Sequence, residues 1–156
     1  MSRETSTCFV TLRIVGRSSA RAAWQHGDVV KLVFCLRRRS DLSRDEFQRY
    51  WRETHGPLVR ERQAVLGIRR YVQVHTLPAG TSSALAASRG VEDEEYDGVA
   101  ELWWDSLEAL GAAAASPEGR RAGAELLEDE RRFLDLDRSP IFLAEEHVVV
   151  GDSGPG

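Results

Sequence analysis

Residues 47–58 read Phe-Gln-Arg-Tyr-Trp-Arg-Glu-Thr-His-Gly-Pro-Leu. On a helical wheel of about 100° per residue, Phe47, Trp51, Thr54 and Leu58 form one narrow stripe, with His55 at its edge one turn after Trp51. The pattern predicts an amphipathic helix with an aromatic inward face. Upstream, Ser43 followed by Glu46 is a capping box, so the helix begins near Arg44. Gly56-Pro57 is expected to end it at His55, because proline lacks the amide donor and its ring clashes with the preceding turn. A second short helix then starts at Pro57 and ends near Gly67. The segment sets a titratable imidazole beside a buried aromatic wall, a setting suited to proton transfer.

Working outward, residues 29–36 are rich in β-branched and apolar side chains and predict a strand. Residues 68–77 predict a second, in which Tyr71, Gln73 and His75 alternate with Val72, Val74 and Thr76. Residues 78–95 are small, polar and acidic and are expected to be a loop. Residues 96–104 predict a third strand. Asp105 or Ser106 caps the next helix, which carries Leu107 and Leu110. Ser116-Pro117-Glu118 opens another that runs towards Phe133. Residues 141–150 predict a fourth strand. This β-α-β order, given twice, predicts an α+β fold: a ferredoxin-like βαββαβ sandwich with a four-stranded antiparallel sheet and helices on one face. The first strand is apolar on both sides, so the other sheet face also needs cover. A second copy of the chain, sheet against sheet, is the simplest cover.

A chain of 156 residues with 42% apolar and 29% charged residues reads as one soluble domain, placed at 29–150. Residues 1–28 are expected to be a partly disordered extension, with translation able to start near Val29 or Val30, and 151–156 a tail. A net charge of −4 gives no basic field for nucleic acid. Arg37, Arg38 and Arg39 are read as a solvated strand end. Cys8 and Cys35 have neither a disulfide pattern nor metal-ligand spacing. No apolar run approaches ~20 residues, so no membrane partner is expected, and the default location is cytoplasmic. The four histidines (His26, His55, His75 and His147) have no i, i+4 pairing, so no metal site is expected. Nor is there a glycine-rich phosphate loop or a Gly-x-Ser-x-Gly elbow.

His55 is the first candidate for general acid or base; the competing reading is that it closes a helix as a cation at the dipole's negative end. His75 reaches the same pocket if the Tyr71/Gln73 side of its strand faces the helices, and lies in a subunit interface if it does not. Gln73 can then orient a substrate oxygen. Tyr50 can donate to a developing oxyanion. Trp51 and Phe47 form the wall. Glu101, on a central strand, is either neutralised by an arginine or holds a raised pKa beside the substrate. Asp129, Glu130, Glu145 and Glu146 are read as solvated or capping.

Several segments resemble the EthD family of the dimeric α+β barrel superfamily. They are Arg38-Arg-Ser-Asp-Leu-Ser43, Phe47 with Tyr50-Trp51 and His55-Gly-Pro-Leu58, Arg69-Arg-Tyr-Val-Gln73, and Tyr96-Asp-Gly-Val-Ala-Glu-Leu-Trp103. Ser116-Pro-Glu118, Asp129-Glu130 with Phe133, and Glu145-Glu146 add to the match. The resemblance spans roughly residues 29–150. It implies a homodimer of ferredoxin-like subunits, a pocket between helices and sheet, and often a reaction without a cofactor on an aromatic or polyketide-like molecule. Cyclisation, dehydration or decarboxylation is expected. Cofactor-independent oxygenation of an anthrone-like substrate, or non-catalytic binding of a hydrophobic molecule, are the alternatives.

Overall fold

A computed structural model of the chain describes residues 29–91 and 95–151. The extension and nearly all of the tail expected from the sequence lie outside the described residues. Four strands, β1 (Val30–Leu36), β2 (Arg70–His75), β3 (Gly98–Trp104) and β4 (Ile141–Ala144), form one antiparallel sheet in the order β2-β3-β1-β4. Helices α1 (Arg44–Tyr50), α2 (Gly56–Leu66), α4 (Leu107–Ala115) and α5 (Pro117–Glu130) complete the α+β, ferredoxin-like sandwich. A short α3 (Ser83–Ala87) lies within the segment read as loop. β4 is shorter than the apolar run suggested: residues 145–151 hold no ladder bonds, and Val149 and Val150 are exposed.

Gly56-Pro57 does not break the first helix. Residues Trp51–His55 form a π-helical turn that joins α1 to α2 without interruption. The amide of Gly56 bonds the carbonyl of Trp51, five residues back. The wider turn gives Pro57 room where a tight α-turn would drive its ring into a carbonyl. It also changes which residues face inward. Phe47, Trp51, His55 and Val59 are buried, whereas Thr54 is exposed and Leu58 only partly covered. In an uninterrupted α-helix each four-residue step advances the face by about 40°. The extra residue in the π-turn takes up that drift and brings His55 onto the buried line.

Period-two alternation assigns the sheet faces. Val30, Phe34 and Leu36 of β1 and Ala100 and Trp104 of β3 are buried against the helices. Tyr71 of β2 packs on the same side. The core falls into two clusters, one around Phe34, Leu36, Phe47, Trp51 and Phe133, the other around Val30, Val59, Ile68 and Trp104. Lys31, Val33, Cys35, Val99, Glu101 and Trp103 point to the opposite face.

β3 starts with glycine because Trp51 lies on it. A Cβ at Gly98 would stand 2.5 Å from Trp51 Cζ3 and 2.9 Å from the Val74 carbonyl. Gly98→Ala is therefore expected to destabilise the fold by about 1–3 kcal/mol, as overpacking does. Denaturant melts read this directly, and an unchanged midpoint would mean that the indole shifts without cost.

Candidate functional site

His55 is 5% exposed, and its Nδ1 lies 2.8 Å from Asp129 Oδ2 at the end of α5. The Tyr50 hydroxyl donates to the other oxygen of Asp129 at 2.7 Å. A carboxylate accepts, so Nδ1 carries the proton of the neutral ring and Nε2 holds the free lone pair. Nε2 has no hydrogen-bond partner among the described residues. Burial lowers the pKa of His55 below the usual histidine value, and the hydrogen bond to Asp129 partly offsets this. The imidazole is thus a neutral base at pH 7, held in one tautomer by a buried carboxylate. This differs from a cationic helix end, because the helix runs on past His55.

The His55 ring lines a cavity of about 60 Å³ between helices and sheet. Phe34, Trp51, Val59, Tyr71 and Phe133 supply apolar and aromatic walls, and Glu130 is the acidic residue on the lining. Burial, followed by the neighbouring Asp129 charge, raises the Glu130 pKa to about 7. A base pushed down and a carboxylic acid pushed up therefore share one enclosure. The sequence reading of Asp129 and Glu130 as solvated or capping is corrected here. α5 carries them side by side, Asp129 turned to His55 and Glu130 to the cavity. Their adjacency to Phe133 in the sequence was the available signal.

Tyr71 is a further group that sequence reasoning left unassigned. Its oxygen accepts from Trp51 Nε1 at 2.9 Å and from Gln73 Nε2 at 3.0 Å. Gln73 Nε2 also donates to the Trp51 carbonyl at 2.9 Å, which fixes the orientation of the amide. With both acceptor positions used, the Tyr71 O–H is left to donate, and no described residue accepts it. Burial raises its pKa to about 12, so the phenol keeps its proton at neutral pH. The close approach of Gln73 depends on Gly56, where a Cβ would stand 3.2 Å from Gln73 Nε2.

The remaining sequence candidates are distributed differently. His75 faces the helix side but does not line the cavity. Its ring packs on Trp51 with centroids 4.5 Å apart, and its Nε2 lies 3.1 Å from Gln73 Oε1. The two histidines do not meet in one pocket. Burial, then Arg52, lowers the His75 pKa. Tyr50 spends its hydroxyl on Asp129, and Phe47 is fully buried behind Trp51. Glu101 lies on the sheet face away from the helices, and its partner is Lys31 at 2.6 Å, not an arginine. Trp103 shares that face under the Lys31 and Arg70 cations. Arg38, read as solvated, bonds the Asp97 carboxylate and the Leu42 carbonyl.

Among the described residues, no group of three or more His, Cys, Asp or Glu side chains is arranged to hold a metal, and no helix is long and apolar enough to cross a membrane.

Residues 39–137 match the EthD domain family. No curated protein matches the chain. Among solved structures, an EthD-like protein from Ralstonia eutropha JMP134 is 23% identical, with a TM-score of 0.54 over 82% of this chain and 98% of that one. A dimeric ferredoxin-like protein of unknown function from Bacteroides fragilis is 15% identical, with a TM-score of 0.50 over 76% and 96%. The hydroxynitrile lyase of Passiflora edulis is 10% identical, with a TM-score of 0.51 over 81% and 100%. At these identities the likeness is one of fold.

Proposed function

Because the chain belongs to the EthD domain family, we propose that it is a cofactor-free enzyme performing acid/base chemistry on an aromatic or polyketide-like small molecule. The observation that carries this reading is the pairing of His55, oriented by Asp129, with Glu130 on one apolar cavity wall. In this reading His55 Nε2 takes a proton from a carbon next to a carbonyl. The Tyr71 hydroxyl donates to the oxygen on which negative charge develops. Glu130, protonated, delivers a proton to the leaving or newly formed oxygen. Base and acid end one turnover exchanged, and solvent restores them. Aldol-type cyclisation and dehydration use this whole set; decarboxylation releases CO₂ from a C–C bond without proton abstraction, and there the Tyr71 hydroxyl supports the enolate oxygen while Glu130 protonates the carbon. Gln73 holds Tyr71, His75 holds Gln73, and Tyr50 holds Asp129, so these three act through their neighbours. Phe47 and Trp51 serve as wall. The hydroxynitrile lyase of Passiflora edulis supports the reading only in that its fold also hosts a lyase.

The cavity of about 60 Å³ is smaller than the ~150 Å³ that holds a benzene ring. Turnover of an aromatic substrate therefore requires the wall to open, and Val59 and Tyr71 are the side chains it shares with a larger outer cleft. The test is a panel of aromatic and linear β-keto compounds followed by NMR, with oxygen uptake recorded in parallel. Proton-dependent conversion without oxygen uptake is the expected result. Stoichiometric oxygen uptake would make the protein an oxygenase, and binding without conversion would make it a carrier.

The rate is expected to be bell-shaped in pH. The base form of His55 is lost as pH falls through a pKa below the usual 6.5, and the acid form of Glu130 is lost as pH rises through about 7. Glu130 also sets a trend in stability. Its pKa is raised in the folded state, so its penalty is absent below the unfolded value and grows until pH passes about 7. Glu130→Gln should therefore stabilise at pH 8 relative to pH 5, by at most about 3 kcal/mol. A pH-independent difference in melting midpoint would contradict a buried acid.

We also assign the chain to a homodimer joined through the helix-free sheet face. Val74 and Phe142 on that face are 44% and 51% exposed in the single chain. The Bacteroides fragilis relative of the same fold is dimeric. Sedimentation should return twice the chain mass.

A further inference from the structure

A second cavity, a cleft of about 390 Å³ between the start of α2 and β2, abuts the apolar one. Val59 and Tyr71 line both. Arg52, Arg60, Arg69 and Arg70 line the cleft together with Gln63 and Gln73, and no acidic residue does. In a chain of net charge −4 this is a local reversal of sign. Arg70 borders the cleft but turns its guanidinium onto Trp103, with the centroid 4.6 Å away on the helix-free face, which leaves Arg52, Arg60 and Arg69 as the cations for a ligand. Arg52 pairs with Glu53 at 3.0 Å and Arg69 with Asp105 at 2.9 Å, both exposed contacts of the kind that exchange readily. Arg60 has no ion-pair or hydrogen-bond partner among the described residues.

From this arrangement we infer that the cleft binds an oxyanion, the carboxylate or phosphate end of the ligand whose apolar end enters the neighbouring cavity. The inference rests on the acid/base reading for which end reacts, but not for binding. Planar guanidinium groups hold carboxylate and phosphate oxygens in pairs. Gln63 adds a neutral polar contact on the same wall, whereas the Gln73 amide is spent on Trp51, Tyr71 and His75. The shared Val59–Tyr71 wall places the anion one side chain away from His55 and Glu130. An anchor there accounts for how a cavity too small for a whole aromatic molecule can serve one: the cleft holds most of the ligand, and the reacting end crosses the wall.

Calorimetry on the full chain with 2-naphthoate, 2-naphthamide and inorganic phosphate tests this. Naphthoate is expected to bind at least about tenfold more tightly than its neutral amide, with affinity falling as salt rises. Arg60→Gln should remove most of that preference. Arg62→Gln, which breaks a pair with Glu125 outside the cleft lining, should leave it intact. Phosphate binding that Arg60→Gln abolishes, without naphthoate binding, would sustain the cleft and assign it to a phosphorylated ligand. Equal affinity for acid and amide, or naphthoate binding indifferent to both Arg60→Gln and Arg52→Gln, would overturn the inference. His55→Gln separates the two readings: it should retain naphthoate binding. If His55→Gln keeps both binding and turnover, the acid/base assignment fails while the anion cleft stands.

Discussion

His55→Gln is expected to lower kcat by about 10²–10⁴-fold, the usual contribution of a positioned general base. The amide fills similar space and can still bond Asp129, so the fold should persist and the loss should appear in kcat and not in KM. The pH profile should also lose its acidic limb, which a structural role would not explain. Asp129→Asn is the companion. Asparagine has one acceptor oxygen where the carboxylate has two, so the Tyr50 hydroxyl and His55 Nδ1–H compete for it; with the amide nitrogen turned to Nδ1 the ring takes the other tautomer and Nε2 ceases to be the base. Its kcat should fall as well, with less than additive loss in the double variant, because the two residues act as a unit. A His55→Gln enzyme within about threefold of the parent would remove the acid/base reading, since a base of this kind contributes far more.

Trp51→Ala carries the largest expected cost in stability, about 3–5 kcal/mol. The side chain is 1% exposed and packs against Phe47, His75 and the bare backbone at Gly98. Its removal leaves a large void and also frees one acceptor site on the Tyr71 oxygen. The phenol can then turn, so substrate-independent loss of stability and loss of oxyanion support should appear together. Trp51→Phe separates them. It keeps an aromatic ring in the site but loses the indole N–H along with the volume of the second ring, and should melt between the parent and Trp51→Ala while retaining the defect in rate. Equal midpoints for the two variants would mean that volume at this site is not what holds the helix to the sheet.

The indole also shows how far the sequence could be read. Its spacing from Phe47 predicts a buried aromatic face, and the capping box at Ser43 and Glu46 predicts where the helix begins; both are local, and the structure has them. The four-stranded antiparallel sheet was readable for a similar reason. Alternation along β2 and β3 is a property of consecutive residues, and a repeated β-α-β pattern leaves few ways to pair four strands. The helix end was misjudged, because a proline signals a break only for an α-turn. Widening that turn needs a glycine beside it and an acceptor carbonyl shared with Gln73, on a strand more than fifteen residues away. Glu101 was misjudged for want of the pairing register, which sets Lys31 opposite Trp103 and beside Glu101 on the far face.

What the sequence alone determined is therefore the four strands and the main helices, their order along the chain, the ferredoxin-like sandwich they make and the family to which the chain belongs. Period, caps and turn residues are encoded within a few neighbouring positions. Tertiary structure decided the site. His55 becomes a base only where a π-turn rotates it onto the buried line and α5, seventy-four residues later, brings Asp129 within 2.8 Å. Glu130 becomes an acid only where burial and that same charge raise its pKa to about 7. Ionisation depends on the dielectric and the charges within a few ångströms, and those neighbours come from parts of the chain that only folding brings together.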